Sequence, residues 1–243
     1  MTTFIFDGHD MAENLEVAEL RMQALPELSP ILKESPGRDG AAYLGSTMQP
    51  LVVTVVARLA TGTTDPAEIQ RKWAEVASVL KTAEPAKLCL TPGLYRMAVL
   101  QGASELEFAT YSAKAELQFL CPDPVAFGDE RTVTVPSGGS ASFAVGGTHP
   151  ARPTVSASAA VRGASSLVWG VRLDEGDFLH VATGSASARA VELDCGARTC
   201  SVGGSTSLPT IDSDWLSLEP GLHVLRNDQG SGACTVKFRE RWL

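Results

Sequence analysis

Four histidines, His9, His149, His180 and His223, are the chain's natural candidates for proton transfer, and none stands four residues from another on a predicted helix. Asp177 and His180 lie three residues apart at a turn entering a strand, close enough in sequence to form a general base and its orienting carboxylate. A turn aspartate followed by a strand-face histidine explains the same pair without chemistry. Asp7, Asp10 and Glu13 crowd one turn, but they lack the graded oxygen ligands and closing bidentate glutamate of a calcium loop. Glycoside hydrolysis needs two facing carboxylates, and Asp174, Glu175, Glu192 and Asp194 supply them only if folding happens to oppose them. Cys195 and Cys200 flank a predicted hairpin turn at a separation that suits a disulfide or half a metal site. No second Cys or His pair lies near them, and the five cysteines, with Cys89, Cys121 and Cys234, are odd in number and read as reduced thiols. No phosphate-cradling glycine loop, nucleophile elbow or His-Glu-x-x-His is present. The expected sets of catalytic, cofactor-binding and metal-binding residues are therefore all empty.

Carbohydrate is the remaining small ligand, because sugars stack on exposed aromatic rings. The second half of the chain contains no tyrosine, and its tryptophans are Trp169, Trp215 and Trp242. Trp169 alternates with Leu167 and Val171, which assigns it to the buried face of a strand. Trp215, in the turn that follows Asp212, is the candidate sugar platform.

The elements that must position these residues fall into two halves. The seam is Cys121-Pro122-Asp123-Pro124: two prolines fix φ and remove two amide donors, so a strand arriving through Glu116 to Leu120 cannot continue as a paired central strand. Residues before proline are held extended, so the seam is expected to be a stiff interdomain joint between residues 1–124 and 125–243. At 243 residues, two domains of ordinary size fit. A hydrophobic content of 44% with 20% charged residues describes an ordered globular chain.

The net charge of −8 is uneven: ten basic against sixteen acidic residues give −6 for residues 1–125, and ten against twelve give −2 for residues 126–243. Neither half carries the basic surface that phosphate neutralisation requires, which argues against direct nucleic-acid binding. No apolar run approaches the roughly 20 residues that span a bilayer, so no membrane insertion is expected. Met1-Thr2-Thr3 leads straight into a strand-like Phe4-Ile5-Phe6 without a signal-peptide pattern, the pattern of a protein made in a cytoplasm.

In the first half, a mostly polar stretch with apolar positions at Leu15, Val17 and Leu20 follows the opening turn, Leu51 to Leu59 is the strongest strand signal, and Arg21 to Gly45, punctuated by prolines and glycines, reads as loop. Asp65-Pro66-Ala67-Glu68 is a helix start with an Asp cap, proline at the first position and Glu in capping-box position. Ile69, Trp73, Val76, Ala77 and Leu80 follow at helical spacing, which predicts one amphipathic helix ending near Thr82. Three more strands are expected at Lys87 to Leu90, Leu94 to Leu100 and Glu105 to Leu120, the last long and alternating through Phe108, Thr110, Ser112, Lys114 and Glu116. The second half predicts eight short strands between Gly, Ser, Asp and Pro turns and no helix, an antiparallel β-sandwich. The fold class is mainly β, with a single helix in the N-terminal domain.

These residues, in this order, resemble the distal tail proteins of long, non-contractile-tailed bacteriophages. The first half is similar through Asp7-Gly8 and Asp10, Pro36-Gly37-Arg38-Asp39-Gly40, the strand Leu51 to Leu59, the single helix, Tyr95-Arg96, and Phe119-Leu120-Cys121-Pro122-Asp123-Pro124. The second is similar to that family's galectin-like sandwich through Gly176-Asp177 and Leu218-Glu219-Pro220-Gly221-Leu222-His223-Val224-Leu225. The resemblance implies a homo-hexameric ring at the virion's tail tip, formed by residues 1–124 and connecting the tail tube protein to a hub or fibre protein. It also implies synthesis in a host bacterial cytoplasm, heterologous subunit contacts and no catalysis. The alternative that the residues leave open is a host-adhesion protein whose sandwich binds a host-surface glycan through Trp215.

Overall fold

The strand Leu51–Leu59 organises the first half. In the computed structural model, which describes residues 4–37, 39–59, 65–102, 106–109, 112–184 and 187–243, its Leu51, Val53, Val55, Ala57 and Leu59 all point into one core. Apolar residues at every second position, within a β-branched run from Val52 to Val56, make this the natural centre of a half-buried sheet. The chain divides into two units, the first running to Ala126 and the second comprising Phe127–Leu243.

The first unit contains β1 (Ile5–Phe6), β2 (His9–Asp10), β3 (Leu15–Met22), β4 (Leu28–Glu34), β5 (Ala41–Met48), β6 (Leu51–Leu59), the helix α1 (Pro66–Leu80), β7 (Ala86–Thr91), β8 (Leu94–Gln101), β9 (Leu106–Ala109) and β10 (Ser112–Cys121). Its main sheet runs β2-β1-β7-β8-β10-β6-β3, with every neighbour antiparallel. β10 pairs with β6 from Lys114 opposite Arg58 to Cys121 opposite Leu51. That register places Ala113, Ala115, Leu117, Phe119 and Cys121 on the core face, where Phe119 meets the rings of Phe4 and Phe6 at 5.8 and 5.2 Å.

α1 covers this core. Asp65 is its N-cap, with Oδ1 accepting the Ala67 amide at 3.1 Å, and Pro66 occupies the first helical position. Burying Ile69, Val76 and Leu80 contributes about 1.5–3 kcal/mol each, against about 1 kcal/mol for the cap. Packing therefore holds the helix and the cap sets where it starts. It ends at Leu80, two residues before the expected end.

Three expectations for this unit are corrected. The loop-rich reading of Arg21 to Gly45 fails: the segment holds the end of β3, all of β4 and most of β5, and β4 and β5 form a separate antiparallel ribbon. Pro30 obscured it, yet β4 pairs on one side only, so a residue without an N–H is accommodated there. β3 was read as a polar stretch because its outer residues are exposed rather than alternating. The single strand expected over 105–120 is two strands, β9 and β10, paired from Leu106 opposite Ala115 to Ala109 opposite Ser112. No glycine or proline marks the change of direction. Met1, Thr2, Thr3, Arg38, Glu105 and Thr110 lie outside the described residues.

The second unit contains β11 (Ala126–Val135), β12 (Ser140–Val145), β13 (Thr154–Ala160), β14 (Val168–Leu173), β15 (Phe178–Ala182), β16 (Arg189–Asp194), β17 (Thr199–Val202), β18 (Ser205–Ser207), β19 (Gly221–Gln229) and β20 (Cys234–Trp242). One sheet is ordered β18-β17-β16-β13-β20-β11 and the other β12-β19-β14-β15. Val155, Val191, Leu193, Val236 and Phe238 from the first meet Trp169, Val171, Leu179, Val181 and Leu225 from the second in one apolar core. This is an antiparallel sandwich, and the architecture as a whole is mainly β. Leu167 stands outside the alternation assigned to it: it precedes β14 in a left-handed conformation (φ 60°) and is exposed.

Candidate interaction surface

The β4–β5 ribbon is the most exposed apolar feature of the first unit. It pairs from Leu28 opposite Met48 to Glu34 opposite Ala41, and the register slips by one residue between Ile31 and Leu32. Gly45 (φ +144°) sits at that slip, where a residue with a Cβ is strained. Leu28, Met48, Leu32 and Tyr43 oppose one another in pairs along the ribbon, and Leu32, Tyr43 and Leu44 are 57%, 65% and 62% exposed. The backbone bond from the Gln49 amide to the Glu27 carbonyl, 2.8 Å, closes the ribbon's base. A two-stranded hairpin is marginal in water by itself, and contiguous exposed apolar side chains mark an interaction site. β3 adds Leu20 and Met22 to the exposed set, with a strand edge that pairs on one side only.

At the seam, β10 ends at Cys121, fully buried against the core of the first unit. Asp123 Oδ1 accepts the Val125 amide at 3.1 Å, and the Pro124 carbonyl accepts a bond from Arg96 Nε at 3.2 Å. Arg96, of the Tyr95-Arg96 pair, thus sets its cation against the Pro124 carbonyl. Burial lowers the pKa of the Arg96 guanidinium from its very high ordinary value. Burial likewise pushes the Cys121 thiol up to about 11.

His180 finds its carboxylate elsewhere than expected. Asp177 is not its partner; His180 Nε2 lies 3.0 Å from Asp228 Oδ2, and Arg172 reaches the same oxygen at 3.2 Å. Residues of β14 and β15 pair Gly170 with His180, and the missing side chain at Gly170 lets the imidazole lie across β14 to reach β19. The Phe178 ring is contacted by Arg172 at 4.9 Å and by His180 at 4.5 Å. Burial, joined by the Arg172 charge, lowers the His180 pKa more than the Asp228 contact raises it. The cluster satisfies itself and presents no nucleophile. Asp228 and Arg172 had no sequence signal near His180, because a cross-strand register brings them together.

Residues 13–121 match the family model described as Phage tail protein RIFT-related domain, and residues 146–242 match that of the Siphovirus-type tail component, C-terminal domain. The distal tail protein of Bacillus phage SPP1 is 24% identical over 248 residues, covering 99% of this chain and 96% of that protein. The chain belongs to the phage distal tail protein family. Among solved structures, the SPP1 Dit protein shares the fold at a TM-score of 0.79 with 19% identity, each chain covered completely. A chain of the phage p2 baseplate in its activated, strontium-bound conformation aligns over 99% of this chain and 98% of its own, at a TM-score of 0.50 and 9% identity.

In this distal tail protein the remaining candidates separate. Asp10 Oδ1 accepts the Ala12 amide at 2.9 Å and caps a short 3-10 turn, and Asp7 (φ 49°) sits in the preceding turn. Asp194 Oδ1 accepts the Gly196 and Ala197 amides at 2.8 and 2.9 Å, Glu192 points outward, Asp174 bonds His223, and Glu175 pairs with Arg226. The four carboxylates do not form a facing pair. Cys195 and Cys200 are free and buried, and burial pushes the Cys195 thiol up to about 11. Trp215 is half-buried with its side chain packed against the sandwich core.

Proposed function

We propose that this distal tail protein is a structural adaptor of the virion's tail tip: six copies close into a ring through residues 1–124, connecting the tail tube to the hub or fibre apparatus, with no catalysis. The observation that carries the reading is the apolar β4–β5 ribbon, held out from the first unit's core with Leu32, Tyr43 and Leu44 exposed. A second copy of the chain is the occupant that a ring supplies to every such ribbon, through heterologous contacts. The −6 charge of residues 1–125 suits a ring lumen that repels DNA passing through it. Residues 125–243 form the second domain, and the prolines at 122 and 124 stiffen the passage to it. The rival reading, host-glycan binding through Trp215, asks for an open ring face, whereas Trp215 packs against the core.

Light scattering on size-exclusion fractions should give six times 25.6 kDa, alone or with the tube or hub partner, and negative-stain images should show a central hole. Leu32→Glu with Tyr43→Glu should abolish the ring while leaving the unfolding midpoint unchanged, because both side chains are exposed within one chain. A strictly monomeric protein that never enters tails would overturn the proposal.

A further inference from the structure

His223 is placed for proton-dependent control of the sandwich. On β19 it faces inward beside Leu225, buried, with the Phe143 ring of β12 at 6.1 Å. Its Nδ1 lies 2.5 Å from Asp174 Oδ2 and its Nε2 lies 2.6 Å from the Glu219 carbonyl oxygen. A carbonyl oxygen offers lone pairs alone, so Nε2 carries a hydrogen. Asp174 Oδ1 accepts the Val224 amide at 2.7 Å, and its side chain is 48% exposed, conditions that keep the carboxylate ionised. Nδ1 therefore donates as well, and the ring is an imidazolium.

The charged groups facing the ring are Asp174 from the β14–β15 turn and Glu219 from the corner that enters β19, both acidic; Phe143 on β12 is uncharged. Farther along the same turn, Glu175 is paired with Arg226 at 3.0 Å. Burial depresses the His223 pKa, but the Glu219 carbonyl and the Asp174 carboxylate outweigh it, and the net direction is upward. Asp174 moves the opposite way: its small burial raises it, and the Val224 amide and His223 bring it below the usual carboxylate range.

We propose that His223 and Asp174 form a pH-operated clasp that ties the β14–β15 turn to the Glu219–Gly221 corner, closed while the imidazolium holds its proton and loosened when that proton leaves. A neutral imidazole has one N–H for two acceptors, so one of its two contacts becomes a lone-pair repulsion. The turn it releases has something to relax: Asp174 (φ 52°) and Glu175 (φ 80°) both occupy the left-handed region that side-chain-bearing residues rarely adopt. The turn is also pinned to β19 by the Glu175–Arg226 pair and by the Asp174 amide bonding the Val224 carbonyl at 2.9 Å, beside the Val224 bond to Asp174. Two of the turn's fastenings meet on the residue that follows His223.

Two measurements on the full chain test the clasp. In protein labelled selectively at its four histidines, with His223 assigned by its loss in His223→Gln, the His223 resonance should titrate above the ordinary histidine pKa of about 6.5 and show both nitrogens protonated below its midpoint. Hydrogen–deuterium exchange, corrected for the intrinsic pH dependence, should show peptides over 172–178 and 217–225 losing protection with that midpoint. Asp174→Asn should lower the midpoint and remove the coincidence, which keeps the test valid if His223→Gln does not fold. Titration of His223 at or below the ordinary value would overturn the proposal, as would peptide protection that ignores its midpoint.

Discussion

Gly170 decides whether His180, Arg172 and Asp228 can meet. A Cβ at this position would stand 2.4 Å from the His180 ring and 2.4 Å from the Leu179 carbonyl, and the second of these is backbone that cannot swing aside. Gly170→Ala should therefore cost about 1–3 kcal/mol, the usual price of overpacking, read as a lower denaturation midpoint. His180 should lose its Asp228 contact in the same variant. The sequence announced His180 and missed its partner for a physical reason: an aspartate three residues away is visible in one dimension, while an aspartate two strands away depends on a glycine gap. His223 was equally silent, since its two acceptors come from a turn and a backbone carbonyl.

Among the elements, α1 was legible to within two residues of its end because its signals are local: a cap, a proline at the first position and a 3.6-residue apolar period. Asp65→Ala should cost about 1 kcal/mol in urea unfolding while leaving helix content nearly unchanged, because Ile69, Val76 and Leu80 still pack. β6 and the second unit's principal strands were legible through β-branched composition and turn residues. β4 and β5 were not, and the reason lies in their environment. A ribbon exposed on both faces has no need of period-two alternation, and prolines and glycines along it imitate a loop. The same exposure hid β3. The candidate interaction surface was thus the least legible part of the chain, since its apolar residues are not patterned by the chain's own core.

At the scale of the whole molecule, the two buried histidines give stability opposite dependences on pH. The His180 pKa is depressed, so as pH falls from about 6.5 towards its folded value the unfolded chain takes up a proton first and stability is lost. The His223 pKa is raised, so its contribution is complete below about 6.5 and is lost as pH rises through its folded value. Urea midpoints measured from pH 5 to 9 should fall on both sides, and His223→Gln should remove the alkaline decline while the acid decline persists. A chain that carries an apolar ribbon also has to survive until it is assembled. Pro30 lies within β4, opposite Ser46, and contributes no amide hydrogen for a further strand to accept. Its ring, with the register slip at Gly45, spoils the straight hydrogen-bonding edge along which exposed strands grow into fibres. The ribbon can offer side chains for docking while its irregular edge disfavours indefinite backbone stacking.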